Sequence, residues 1–376
     1  MAARAVKIEP LSPDVELTLR AMDAARERTL TLIAGLSDAD LERVHSPIMS
    51  PLAWDLGHIA AYEDLWVSHR HGGLGLLRPD LASLYDAFET PRAIRGELEA
   101  LDPAGARDYL AEVRERTRET LAREGLGDAV ICEMVLRHEL QHSETMRQTM
   151  AIAGLLPSGE PRLDPPAAAP GWTEIPAGAF LMGAGPVGFS YDNERPRHRV
   201  EVPAFTIARL PASNESWMHF SEGGGYERRE WWSDEGWAWK EEYDISHHPD
   251  LAGGHPQATA CHVSWFEADA FARAHDARLP TEAEWERATT WEQETGEGPQ
   301  AVGNVWEWTS SHFVGYPGFE AYPYREYSEV FFGERYRVLR GGSWATHERV
   351  AGLTFRNWDL PERRQIFAGL RLARDA

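Results

Sequence analysis

The strongest constraint on the fold is a break in pattern at residues 155–172, LLPSGEPRLDPPAAAPGW, which are rich in proline and alanine and show neither a helical nor a strand period. Proline fixes φ and removes a backbone donor, so such a stretch neither propagates a helix nor joins a sheet interior. It reads as a linker with a domain boundary near residue 165, separating a domain over residues 1–160 from one over 171–376. A chain of 376 residues is long enough for two domains, or for one with a large elaboration.

The two sides follow different rules. Before the break, LTLRAMDAARERTLTLIAGL, MSPLAWDLGHIAAYEDLWVSHR, ARDYLAEVRERTRETLARE and DAVICEMVLRHELQHSETMRQTMAIAGL place apolar residues three and four apart. Four such stripes predict a four-helix bundle, with a long connection over residues 72–103. After the break come short β-like runs, AGAFLMGA and HRVEVPAFTIARL, a helical segment WFEADAFARAH, and loops rich in glycine and aromatics. Most of the 15 tryptophans follow residue 171. Their indole N–H groups need partners when buried, so this half is expected to be an irregular, loop-rich α+β domain. No internal repeat is present.

The formal charge of −22, from 38 basic and 60 acidic residues, is spread without a long acidic block and argues for solubility and against nucleic acid as a partner. No apolar run approaches the roughly 20 residues a membrane span requires. The opening MAARAVKIEPLSPD lacks the apolar centre of a secretory signal, and the two cysteines, Cys132 and Cys261, are far apart. A reducing cytoplasm is the expected compartment. The oligomeric state is not legible.

In RHELQHSETM, residues 137–146, His138 and His142 sit four apart and leave one helix face one turn above the other. HELQH also resembles the zinc-protease pattern with Glu139 in the base position, a weak signal alone. For this pair alone, solvated helix histidines are the simpler reading. His58, in DLGHIAAYEDLW, lies on an apolar face with Leu52, Leu56, Ile59 and Leu65. It reads as a core histidine unless the second and fourth helices are neighbours, when it becomes a third ligand. Three neutral imidazoles leave coordination positions open, and ferrous iron, zinc and nickel all accept them. His247, His248 and His255 read as surface residues.

Beyond these patterns the chain resembles a known family along nearly its whole length. SPLAWDLGHIAAYEDLW and RHELQHSETM resemble the DinB-type bundle. IPAGAFLMG, DNERPRHRV, RLPTEAEWERA, GNVWEWT, RGGSW and FAGLRLAR resemble the formylglycine-generating-enzyme (sulfatase-modifying factor) domain, with its loop-rich C-type-lectin-like fold. In this order the two resemble the ergothioneine-biosynthetic sulfoxide synthases, non-haem iron enzymes that use O2 to join γ-glutamylcysteine or cysteine to C2 of hercynine. The resemblance implies Fe(II) on His58, His138 and His142, with Gln141, Asn357, Trp358 and Asp359 holding hercynine. It further implies Arg92 and Arg95 on the thiol's carboxylates and, in GYPGFEAYPYREYSEVFFG, Tyr324 as the active-site tyrosine with Tyr316 in reserve.

Four rivals compete with this reading, and the first of them is discounted. Formylglycine generation conflicts with the lack of cysteine after Arg340 and with Cys261 standing alone in its domain. A zinc or nickel thiol transferase would explain three histidines but not the second domain. A non-catalytic binding module predicts no stoichiometric metal. Selenoneine synthases share both domains and use a selenosugar, to which an arginine pair offers little. The segments EEYDISHHPDLAGGHPQATACHVSWFEADAF and ERATTWEQETGEGPQAVGNVWEW are shorter than in the resembled family.

Overall fold

The structure, a computed structural model, describes residues 12–157, 163, 169–248, 255–299 and 301–376. The N-terminal eleven residues, most of the proposed linker and residues 249–254 of the compact segment lie outside them. The chain divides into two compact units, Met1–Gly159 and Glu160–Ala376.

The first unit is helical because its caps and apolar stripes agree. Ser12 accepts from Val15 N–H at the start of α1 (Pro13–Ile33), and Ser37 with Asp40 forms a capping box on the short α2 (Asp38–Glu42). α3 (Leu52–Glu63) runs directly into a wide π-helical segment, Asp64–His71. Asp102 caps α4 (Pro103–Glu124), and α5 (Val130–Ala153) ends at Gly154 with φ 67°. Leu32, Leu52, Leu56, Ile59, Leu110 and Met150 form part of one apolar core. Each such side chain contributes roughly 1.5–3 kcal/mol by leaving water.

A charge network crosses that core. Arg26 of α1 donates to Glu63 of α3 at 2.8 Å and to Glu139 of α5 at 2.8 Å, while Arg114 of α4 donates to Glu63 at 2.8 Å and to Asp23 at 2.9 Å. One network therefore ties the four long helices. Burial opposes ionisation of Glu63, but Arg114 and Arg26 outweigh it and hold the carboxyl down at about 2.

In the second unit β1 (Trp172–Ile175), β4 (Phe205–Ala208) and β9 (Ala373–Asp375) form one sheet in the order β1-β4-β9, and β2 (Gly178–Met182) pairs with β3 (His198–Val202). β5 (Trp306–His312), β6 (Arg337–Arg340), β7 (Asn357–Asp359) and β8 (Ala368–Leu370) form a third sheet, ordered β7-β6-β5-β8. α6 (Asn214–Glu222), α7 (Asp234–Glu242), α8 (Trp265–Ala274) and α9 (Glu282–Thr295) complete it. Buried polar struts hold the loops. Arg356 donates to both Glu282 oxygens at 2.9 and 2.8 Å, Arg371 to both Glu307 oxygens at 2.8 and 2.6 Å, and Arg340 to Glu286. Several buried indole N–H groups find acceptors: Trp285 on Glu307, Trp308 on Val263 O and Trp265 on Thr309 O. Gly341 has φ 96°, and a Cβ there would lie 2.3 Å from Ala301 O, so RGGSW needs its glycine.

One surface reading is corrected. His247 and His255 are exposed, but His248 is buried edge-to-face against Trp217 with centroids 5.6 Å apart, and burial pushes its pKa down to about 4. The aromatic cluster under α6 takes in the second histidine of the pair while the first faces water.

Candidate metal centre

α3 and α5 are neighbours in the bundle, and their packing brings His58 against His138 and His142. One ring nitrogen from each of the three lies within 4.8 Å of the others. That spread suits a single cation with metal–nitrogen bonds of about 2 Å. His58 is the deepest of the three. Its Nδ1 lies 2.7 Å from the Tyr85 carbonyl, which can only accept, so Nδ1 carries the proton and Nε2 keeps its lone pair. That Nε2 faces His138 Nε2 at 3.1 Å. Burial and the neighbouring His142 depress the pKa of both His58 and His138 well below the usual imidazole range, which favours the neutral ligand form. On physical grounds the donor set fits a transition metal, without choosing among iron, zinc and nickel.

The surroundings fix the rings. Trp54 stacks on His58 with centroids 5.0 Å apart and 13° between planes, and Tyr62 stacks on His138 at 3.7 Å and 10°. The Trp54 indole donates to Leu84 O at 3.1 Å. Gly57 is required beside His58, because a Cβ there would meet the Tyr85 ring at 2.1 Å, and that ring sits on the residue whose carbonyl orients the histidine. His142 Nδ1 lies 3.3 Å from Asp55 Oδ1. None of Trp54, Asp55, Tyr62 or Tyr85 was singled out from the sequence, although Trp54, Asp55 and Tyr62 lie four, three and four residues from His58 on the same helix, the spacing of one face.

Glu139 departs from the zinc-protease analogy. One residue past His138 it has turned about 100° around the helix, and it is buried on Arg26 rather than facing the histidines. It braces the bundle.

The other site candidates of the first unit fall as follows. Gln141 is half-buried on α5, between the two ligands. Arg92 is exposed and donates a long bond, 3.4 Å, to Ile48 O. Arg95 is buried, lies 3.7 Å over the Trp54 ring, and donates to Thr90 O, Ser50 Oγ and Ala87 O at 2.8, 2.7 and 3.3 Å. Burial lowers its pKa to about 10, still cationic at neutral pH.

In the second unit, Asn357, Trp358 and Asp359 form β7, in register with Leu339, Val338 and Arg337 of β6. Trp358 stacks on Phe313 at 4.1 Å and 8°, and Tyr327 meets its edge at 5.9 Å. The Asp359 carboxylate accepts from Leu360 N–H at 2.8 Å and from Gln365 at 3.2 Å. Tyr324 is half-buried, with its ring 6.2 Å from Tyr327. Tyr316 is buried in an apolar cluster with Ile175, Phe180 and Phe205, its hydroxyl has no hydrogen-bond partner among the described residues, and burial drives its pKa far up.

Comparison with known proteins agrees with this division. Residues 21–146 match the DinB superfamily, and residues 158–297 and 299–376 match the sulfatase-modifying factor enzyme 1-like domain. The hercynine oxygenase of Mycobacterium tuberculosis is 40% identical over 93% of this chain and 97% of that protein. That of Mycolicibacterium thermoresistibile is 41% identical over 96% and 95%, and that of Mycolicibacterium smegmatis 39% over 93% and 97%. A DinB bundle bearing three convergent histidines, followed by a sulfatase-modifying-factor domain and aligned almost end to end with these relatives, places the chain in the hercynine oxygenase family.

Proposed function

We propose that the chain is an O2-dependent non-haem iron sulfoxide synthase of ergothioneine biosynthesis, joining C2 of hercynine to the sulfur of γ-glutamylcysteine or cysteine. The observation that carries this reading is the convergence of His58, His138 and His142 in a chain so similar to hercynine oxygenases. The reaction balances without a further reductant. The C2–H and S–H bonds break, one C–S and one S–O bond form, and the second oxygen atom leaves as water.

Ferrous iron held by the three histidines would lower the thiol pKa and supply the redox chemistry of O2 reduction, with positions left open for sulfur and O2. The protein's own groups do the rest. Buried, neutral imidazoles leave the metal's positive charge uncancelled, which favours a thiolate. Arg92, turned to solvent, is available to clamp a carboxylate. Arg95 has five N–H donors, and its three bonds to Thr90, Ser50 and Ala87 leave two for a second carboxylate oxygen. This pair favours a dicarboxylate thiol over a selenosugar. Gln141 lies beside the ligands, where it would orient the imidazole. Trp358 and Asp359 offer an aromatic ring and a carboxylate, the chemistry suited to a trimethylammonium group, which cannot donate a hydrogen bond. Tyr324 is the half-exposed phenol and the better proton donor, while Tyr316 is buried beneath the Arg356 guanidinium, 4.2 Å from its ring.

The test is anaerobic loading of the protein with Fe(II), then O2, hercynine and, separately, γ-glutamylcysteine, cysteine or a selenosugar, with products identified by mass spectrometry. A hercynyl sulfoxide from a thiol, lost in His58→Ala, is the expected result. Product from the selenosugar alone would overturn the donor, and no oxidation with any donor would overturn the reaction.

A further inference from the structure

Asp55 is 1% exposed in the first turn of α3, on the helix that also buries Leu52, Leu56 and Ile59. Burying a carboxylate costs several kcal/mol unless it is paired, yet neither of its oxygens has a hydrogen-bond partner among the described residues. The same holds for His142 Nδ1. These orphaned atoms face each other at 3.3 Å. The Arg95 guanidinium, 3.7 Å over the Trp54 ring, also interacts electrostatically with Asp55. An apolar residue would suit the packing better, so the carboxylate is there for what it does to the imidazole.

We propose that Asp55 is a positioning residue of the metal centre: it accepts the Nδ1–H of His142 and thereby presents that ring's Nε2 lone pair to the metal. The inference rests on the reading of the three histidines as ligands. It parallels His58, whose Nδ1 is fixed by the Tyr85 carbonyl. A carboxylate in this place both fixes the tautomer and raises the basicity of the ligand. It also sets one buried negative charge beside a centre whose ligands are all neutral.

The test uses the full chain and no turnover. Co(II) affinity is measured by competition with a chromophoric chelator for the wild type, Asp55→Ala, Asp55→Asn and His58→Ala. The Zn(II)-loaded proteins are also labelled with 15N-histidine, so that NMR reports which nitrogen of His142 carries the proton. Wild type is expected to bind one equivalent with His142 protonated at Nδ1. Asp55→Ala should bind about 10- to 100-fold more weakly. Asp55→Asn, which keeps the shape and a carbonyl acceptor, should recover part of that loss and remains the informative variant if the alanine protein does not fold. Wild-type affinity in both variants, or His142 bound through Nδ1 in the wild type, overturns the role of Asp55 and leaves the metal site standing. No binding by the wild type overturns the metal site and the inference with it.

Discussion

Both units bury arginine on glutamate, but they use the pairs differently. In the bundle one network, Arg26–Glu63–Arg114 with Glu139, joins four helices that apolar stripes have already aligned. In the second unit Arg340 and Arg356 share Glu282, Arg340 also reaches Glu286, and Arg371 pairs with Glu307; all three are fully buried, and each also donates to a backbone carbonyl, Leu353 O, Asn193 O and Ala208 O respectively. Where regular elements supply the order, buried charge adds registry. Where they do not, it substitutes for backbone pairing that the loops lack.

The largest expected effect breaks the bundle's function without touching its frame. His138→Ala should reduce bound metal from one equivalent to background, as measured by elemental analysis, with the helical circular dichroism retained. Breaking the frame is next. Glu63→Ala leaves Arg26 and Arg114 buried without their carboxylate, and a loss of about 3–5 kcal/mol is expected in chemical denaturation followed by far-UV circular dichroism. Tryptophan fluorescence, which reports mainly the second unit, should shift less.

Acid sharpens the same contrast. The Glu63 carboxyl titrates near 2 in the folded protein against 4.5 for the free group. Its depressed pKa contributes stability that is complete above about pH 4.5 and is lost as pH falls toward 2, on the order of 3 kcal/mol. Glu63→Gln should flatten that part of the stability curve. A smaller effect separates the two glycines. Gly57→Ala and Gly341→Ala each force a Cβ into an occupied space, against the Tyr85 ring and the Ala301 carbonyl, and each should cost about 1–3 kcal/mol. Only Gly57→Ala, which displaces the residue whose carbonyl orients His58, should also weaken metal binding. The smallest stability change is expected for Arg92→Ala, within about 0.5 kcal/mol as for other surface positions, with a raised KM for the dicarboxylate thiol as its signature.

These contrasts follow how legible each region was. The helices containing His58, His138 and His142 could be read because a 3.6-residue period is written locally, and the strands AGAFLMGA and HRVEV showed a local alternation. The struts were not legible. Arg356 and Glu282 are 74 residues apart, and no periodicity links them. The HELQH pattern was a weak signal for a related reason, since it describes one helix while Glu139 is held by Arg26 on another.

The sequence by itself determined the change of architecture at the proline-rich stretch, the four helical stripes, the common face of His138 and His142, and a family resemblance along almost the whole chain. Only the tertiary structure decided that His58 meets that pair, that the Tyr85 carbonyl and Asp55 address the Nδ1 atoms of two of the rings, and that Tyr316 is enclosed while Tyr324 is not. Spacing along a helix sets which side chains share a face. What that face meets depends on packing between segments distant in sequence, and a metal site is made of such meetings.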